Sequence, residues 1–178
     1  DGNRTDGTKS SIVGGNTNIS QGIYCFVGGG NSNAVWSDTV LGNSSIVGCE
    51  NNQIIDAYGA IFGGDINKVS GDNGVVIGGT SNVSSGTYSF TMGNQCEAFP
   101  NGAVMFGDST AVTKRAYGQD SITFNYSGGA WITGGGVNAR RGFNLYPTGV
   151  VPSATVGGRS GDFAYKDNYL YVFTGDNA

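Results

Sequence analysis

The sequence predicts an all-β chain built on a parallel β-solenoid, and three observations lead there. A short repeat, about 14 to 15 residues in period, runs through the first two thirds of the chain. Glycine, at 33 residues, is abundant enough to supply every turn such a coil needs. The apolar residues fall in adjacent pairs, a pattern that no amphipathic helix produces.

The repeat is an apolar pair followed by Gly. It appears as Ile12-Val13-Gly14, Phe26-Val27-Gly28, Val40-Leu41-Gly42, Ile46-Val47-Gly48, Ile61-Phe62-Gly63 and Val76-Ile77-Gly78. Thr91-Met92-Gly93 and Met105-Phe106-Gly107 continue it. The step from Gly to Gly keeps to that period throughout, except between Gly42 and Gly48, where it is less than half as long. A weaker apolar slot follows each Gly, at Ile19, Ala34, Ile54, Val69, Val83 and Ala98, often just after an Asn such as Asn18, Asn33, Asn67 or Asn82. A unit of this length holds two short strands and two tight turns, which is one rung of a solenoid. Glycine supplies corners with positive φ, and Asn tolerates them. Stacked rungs bring like residues together every ~4.8 Å, so Asn and Ser can form hydrogen-bonded ladders and residues 11–111 make a rod of roughly 30 to 35 Å. The short step from Gly42 to Gly48 is either an insertion at Asp38–Ser45 or a miscounted rung.

Neighbours on a strand point to opposite sides, so an apolar pair asks for burial on both. One side fills the rung, and the other needs a cover, since a continuous greasy stripe on a rod invites aggregation. Self-association about an axis along the rod provides that cover; packing against another part of the same chain is the alternative. The residues assigned to this double core are Ile12, Val13, Phe26, Val27, Ile46, Val47, Ile61, Phe62, Val76, Ile77, Met92, Met105 and Phe106.

The stretches SSIVGGNTNISQGIYCFVGGGNSNAV, IVGCENNQIIDAYGAIFGGDINKVSG and VVIGGTSNVSSGTYSFTMGNQCEA resemble the head repeats of YadA-type trimeric adhesins and related arrays in viral fibres. The resemblance implies a left-handed parallel β-roll, a homotrimer with three chains side by side, and a surface-exposed adhesive or spacer role. The chain departs from it in its longer units and in bulkier Phe, Tyr and Met. The C-terminal GRSGDFAYKDNYLYVFTGDNA resembles a short β module of phage tail and fibre proteins, although the Trp that usually follows is not reached by Ala178.

Four segments follow: a polar stretch over 1–10, the solenoid over 11–111, a β transition or cap over 112–150, and a C-terminal β-hairpin module over 151–178. In the transition, Ile122–Tyr126 and Ala130–Thr133 read as partners across a Ser127-Gly128-Gly129 turn. In the module, Asp162–Tyr165 and Tyr169–Phe173 form a second hairpin, with Trp131, Tyr165, Tyr169 and Tyr171 as candidate receptor contacts. Asp1–Ser10 lacks the features of a signal peptide, and the missing initiator Met suggests a fragment or a processed product.

The same residues exclude much chemistry. With no His, the Ser-His-Asp and Cys-His mechanisms and the usual zinc sites fall away. Cys25, Cys49 and Cys96 show no metal or disulfide spacing and read as small buried hydrophobes. Glu50 and Glu97 sit in turns too far apart for paired acid–base work. No catalytic site, cofactor or metal is expected. A net charge of −4 argues against nucleic acid, and no run is apolar enough for membrane insertion. Lys68 is the one cation of the repeat, while Lys114-Arg115 and Arg140-Arg141 mark the transition, either as a patch for anionic glycans or as junction charges. The expected role is a non-enzymatic fibre or appendage at a virion surface, in contact with other virion proteins and with a host surface glycan or protein. The head of a bacterial trimeric surface adhesin is the alternative, and a glycan-depolymerising tailspike the less favoured third.

Overall fold

The computed structural model describes residues 2–36, 42–56, 58–116, 118–127, 163–166 and 169–172. Among them there is no helix, and the strands are short. They are β1 (Arg4–Thr5), β2 (Ser11–Ile12), β3 (Ile19–Ser20), β4 (Phe26–Val27), β5 (Ala34–Val35), β6 (Ser45–Ile46), β7 (Gln53–Ile54), β8 (Ala60–Ile61) and β9 (Lys68–Val69). There follow β10 (Val75–Val76), β11 (Val83–Ser84), β12 (Phe90–Met92), β13 (Cys96–Ala98), β14 (Val104–Gly107), β15 (Lys114–Arg115), β16 (Ile122–Asn125), β17 (Phe163–Lys166) and β18 (Tyr169–Val172).

Each rung gives one strand to each of two parallel sheets. The odd strands β1 to β15 form one eight-stranded sheet and the even strands β2 to β16 the other, as a β-solenoid requires. Residues Asp1–Trp131 form one compact unit, and 132–178 form a second. In the second unit, β17 and β18 pair antiparallel with Phe163 opposite Val172.

Side-chain alternation decides what fills the coil. In the even sheet the second residue of each strand points inward, and Val27, Ile46, Ile61 and Val76 are fully buried. The odd sheet answers with Val35, Ile54 and Val69, which pack with them into one cluster. Small residues at the inner corner, among them Cys25, Ser44, Gly59 and Ser89, let the two sheets approach. A polar layer then interrupts the core: Ser84 Oγ lies 2.6 Å from Ser89 Oγ, and Thr91 Oγ1 donates to Val83 O at 3.2 Å. Beyond it Cys96, Ala98, Ala103, Met105 and Ala116 form a second cluster.

The register resolves the irregular step. Ser11 pairs with Phe26 and Ser45 with Ala60, each one regular period on, but Phe26 pairs with Ser45 across a longer step. The extra residues therefore lie between Trp36 and Ser45. Gly42 belongs to the turn before β6 rather than to a repeat of its own, while Val40 and Leu41 lie outside the described residues. The Phe26-Val27-Gly28 copy also shifts by one place: Val27 stacks on Ile12 and Ile46, so Gly28 takes the slot of Val13 and Val47. A Cβ on Gly28 would come within 2.5 Å of Val47 O, which explains why this rung carries no side chain there.

A column of asparagines runs up the inside of the coil beside the odd sheet. Asn18, Asn33, Asn52, Asn67 and Asn82 are at most 1% exposed. Asn18 Oδ1 accepts the backbone N–H of Asn33 at 3.0 Å and its Nδ2 at 3.2 Å. Asn33 Oδ1 does the same for Asn52 at 3.1 Å each, across the rung that carries the extra residues. Each Nδ2 also reaches a turn carbonyl on its own rung and one on the next, as Asn52 does to Gly48 O and Gly64 O at 3.2 and 2.7 Å. Buried carbonyls at tight turns have no water to bond, so these amides supply what the turns would otherwise lack.

Lys114 ends the column. Cys96 takes the Asn position above Asn82, and Lys114 pairs with Cys96 one rung later. Its side chain is 3% exposed, and Nζ donates to Thr110 O, Asn94 O and Val112 O at 2.7, 3.2 and 3.2 Å. One ammonium thus covers the turn carbonyls that an amide would have held. Asp108 balances its charge at 3.2 Å, and hydrogen bonds from Thr110 and Ser127 hold that carboxyl well below the usual carboxylate range.

Several expectations change here. β1, β15 and β16 join the two sheets, so rungs continue on both sides of residues 11–111. Lys114 and Arg115 are therefore in the coil along with Lys68, and Glu97 lies on a strand, paired with Arg115 at 2.6 Å. β16 pairs parallel with β14, and its expected hairpin partner, Ala130–Thr133, lies outside the described residues. Cys25 and Cys96 are buried, and burial pushes both thiols up, whereas Cys49 is exposed. Glycine with positive φ recurs at one corner, as at Gly64 with φ 85°, but both corners also hold left-handed non-glycine residues, among them Ile66 and Ser81 at the first and Lys9, Tyr24, Asn43, Tyr58, Asn73 and Tyr88 at the other.

Asn52→Ala is expected to destabilise the chain by about 3 kcal/mol in urea or thermal unfolding, because it orphans two turn carbonyls and the Asn67 amide. The lowered Asp108 pKa gives a second expectation. Its contribution is complete above the ordinary aspartate value of roughly 4 and is lost as pH falls below it. Unfolding followed from neutral pH to about pH 3 should steepen in that window, and Asp108→Asn should flatten the response.

Candidate interaction face

The even sheet presents its outer surface in two columns on either side of the buried one. The column after the buried residue contains Val13, Val47, Phe62 and Ile77, which are 71%, 53%, 54% and 41% exposed. Met92 and Phe106 continue it half-buried, and Phe124 ends it exposed. The column before the buried residue runs Ser11, Phe26, Ser45, Ala60, Val75, Phe90, Val104 and Ile122. It is small at the middle rungs and large at the later ones.

Eight strands at ~4.8 Å make this face roughly 34 Å long. Its far end is aromatic. Phe106 stacks on Phe124 with centroids 5.2 Å apart and planes 10° apart, and Phe90 tilts against Phe106 at 5.5 Å. In-register stacking makes such a face unavoidable once the repeat places an apolar residue outward on each rung, Phe26 doing so from the other column where Gly28 leaves the slot empty.

The thirteen residues assigned to the double core therefore divide cleanly. Val27, Ile46, Ile61 and Val76 are buried in the first core cluster, against which Ile12 packs, and Met105 is buried in the second. Val13, Val47, Phe62, Ile77, Met92 and Phe106 line one outer column, and Phe26 stands in the other. Phe90, Val104, Ile122 and Phe124 belong to the same face without having been assigned to it. For Phe90 and Val104 the signal was a place two residues before the outward member of an assigned pair, Met92 and Phe106, which alternation sends to the same side. Of the candidate receptor contacts, Tyr165 lies on β17 and Tyr169 and Tyr171 on β18, while Trp131 is outside the described residues.

The odd sheet offers a different surface. Its outward column is Ile19, Ala34, Gln53, Lys68, Val83, Glu97 and Arg115, mixed in character, and the part from Ile19 to Val83 lines a shallow open groove with Trp36. The weaker apolar slot thus contains two kinds of residue: Ile19, Ala34 and Val83 face out, and Ile54, Val69 and Ala98 face in. Among the described residues no group of His, Cys, Asp and Glu could hold a metal ion. No described helix is long and apolar enough to cross a membrane. No protein family, characterised protein or solved structure matches the chain.

The two sides of one strand should respond differently to truncation. Ile61→Ala, inside the coil, is expected to cost about 2–5 kcal/mol at any protein concentration. Phe62→Ala should cost less than about 1 kcal/mol where the chains are dilute enough to be separate, in the same denaturant titration.

Proposed function

We propose that the chain is a non-enzymatic segment of a trimeric fibre at a virion surface, supporting or mediating attachment to a host. The observation that carries the reading is the apolar outer face of the even sheet, continuous from Val13 to Phe124. Soluble monomers rarely expose contiguous apolar patches larger than a few hundred Å². A rotation axis parallel to the coil brings the same rung of each copy to the same height, so Phe62 meets Phe62 along the whole stripe. Three copies close such an arrangement, in keeping with the resemblance to trimeric adhesin repeats. The parallel rungs supply length and stiffness, which suit a spacer that projects a contact surface. Other virion proteins would hold one end, and a host glycan or protein would be met along the coil or by the C-terminal hairpin.

Sedimentation equilibrium at micromolar concentration is expected to give three times the 18.2 kDa chain mass. Phe62→Glu combined with Ile77→Glu should return the single-chain mass while the far-ultraviolet β signal persists. A wild-type chain that sediments at its own mass removes the trimer. Antibodies raised against the chain should label particle surfaces in electron microscopy; labelling confined to bacterial envelopes would replace this reading with the adhesin head.

A further inference from the structure

Three exposed tyrosines occupy one corner of the coil at every second rung. Tyr24, Tyr58 and Tyr88 are 52%, 42% and 69% exposed. Their amide N–H groups donate to Thr8 O, Gly42 O and Asp72 O of the preceding rungs at 3.0, 3.0 and 2.9 Å, and Asn43 donates likewise to Ile23 O at 2.8 Å. Tyr24, Asn43, Tyr58, Asn73 and Tyr88 therefore form one column in which ring and amide alternate.

The backbone makes this column a poor place for a tyrosine. All five residues lie in the left-handed region, with φ between 49° and 58°. Glycine takes that conformation freely and Asn tolerates it, and Gly102 occupies the same corner further up with φ 65°. The left-handed conformation recurs at the opposite turn in Thr17, Ser32, Asn51, Ile66, Ser81 and Gln95, so what sets this corner apart is that the side chains carried there are aromatic rings and amides in alternation. The rings are not kept for the core, since each is exposed to solvent.

We infer that this corner is a docking edge for a linear, uncharged, β-linked glycan lying along the coil. The rung spacing of ~4.8 Å is close to the length of one sugar ring in an extended β-linked chain, so tyrosines ~9.6 Å apart meet every second sugar. Aromatic rings offer apolar faces to the C–H faces of sugars, and each Tyr hydroxyl can donate a hydrogen bond, Tyr24 while it accepts one from Lys9. Between them the Asn43 and Asn73 amides supply both donors and acceptors for sugar hydroxyls. The net charge of −4 favours an uncharged ligand over an acidic one. Lys9, at the first rung of the column, is engaged with Tyr24, bonding its hydroxyl at 3.0 Å and lying 4.9 Å from its ring. This inference rests on the attachment part of the proposed function, names a ligand class for it, and does not depend on the number of copies.

Isothermal titration of the full chain with cellohexaose, chitohexaose and maltohexaose tests it, alongside a triple variant Tyr24→Gly, Tyr58→Gly, Tyr88→Gly and a single Tyr58→Trp. Glycine relieves the corner backbone, so the triple variant should melt no lower than the parent. At least one of the two β-linked hexamers should bind, and the α-linked maltohexaose should bind at least about tenfold more weakly. The triple variant should lose about tenfold or more in affinity, and Tyr58→Trp should retain it. The inference is overturned if neither β-linked hexamer binds or if the triple variant binds as well as the parent. It is also overturned if the triple variant falls to a smaller mass, because the corner would then join copies of the chain. A chain that binds no sugar yet labels particle surfaces loses this inference and keeps the proposed function.

Discussion

The buried asparagine column is the constraint on which the rest of the solenoid depends. Most rungs contribute very short strands, with too few backbone bonds to fix a register by themselves. The amides of Asn18, Asn33, Asn52, Asn67 and Asn82 tie each turn to the next and leave their own carbonyl oxygens to receive the following Asn. A one-residue slip would break these bonds and send every strand side chain to the wrong face. The column passes unbroken across the rung that carries the extra residues before Ser45.

Fixed register converts a local repeat into long surface features. One inward slot becomes the Ile and Val core, one outward slot becomes the apolar face, and one corner becomes the line of Tyr24, Tyr58 and Tyr88. The interior is narrow, which leaves much apolar side-chain surface on the outside; in the proposed assembly, neighbouring copies cover it. Lys114 closes the amide column with a charge that Asp108 neutralises, so the rungs beyond it no longer depend on Asn.

The period, the parallel solenoid and the double-sided strands were all legible in the sequence, because they follow from spacing and from alternation. Four of the Asn positions were legible too. Asn52 was hidden beside Asn51, where only the register shows which of the two turns inward. The run Gly28-Gly29-Gly30 concealed the frame shift at Phe26, since any of the three glycines could have marked the turn. The later rungs were missed because the step from Val104 to Ile122 is longer than the repeat and breaks the count. The tyrosine corner could not be read from composition: it depends on non-glycine residues adopting positive φ, against their intrinsic preference.

Hydrogen exchange at the asparagine side chains tests the ladder most directly. In nuclear magnetic resonance of the intact chain, the Nδ2 protons of Asn18, Asn33, Asn52, Asn67 and Asn82 should exchange as slowly as the amides of the buried strand residues Ile46 and Ile61. The exposed Asn43 gives the reference for a free side chain. If the five amides exchange at the Asn43 rate while the strands stay protected, the register is held by something else and the account fails.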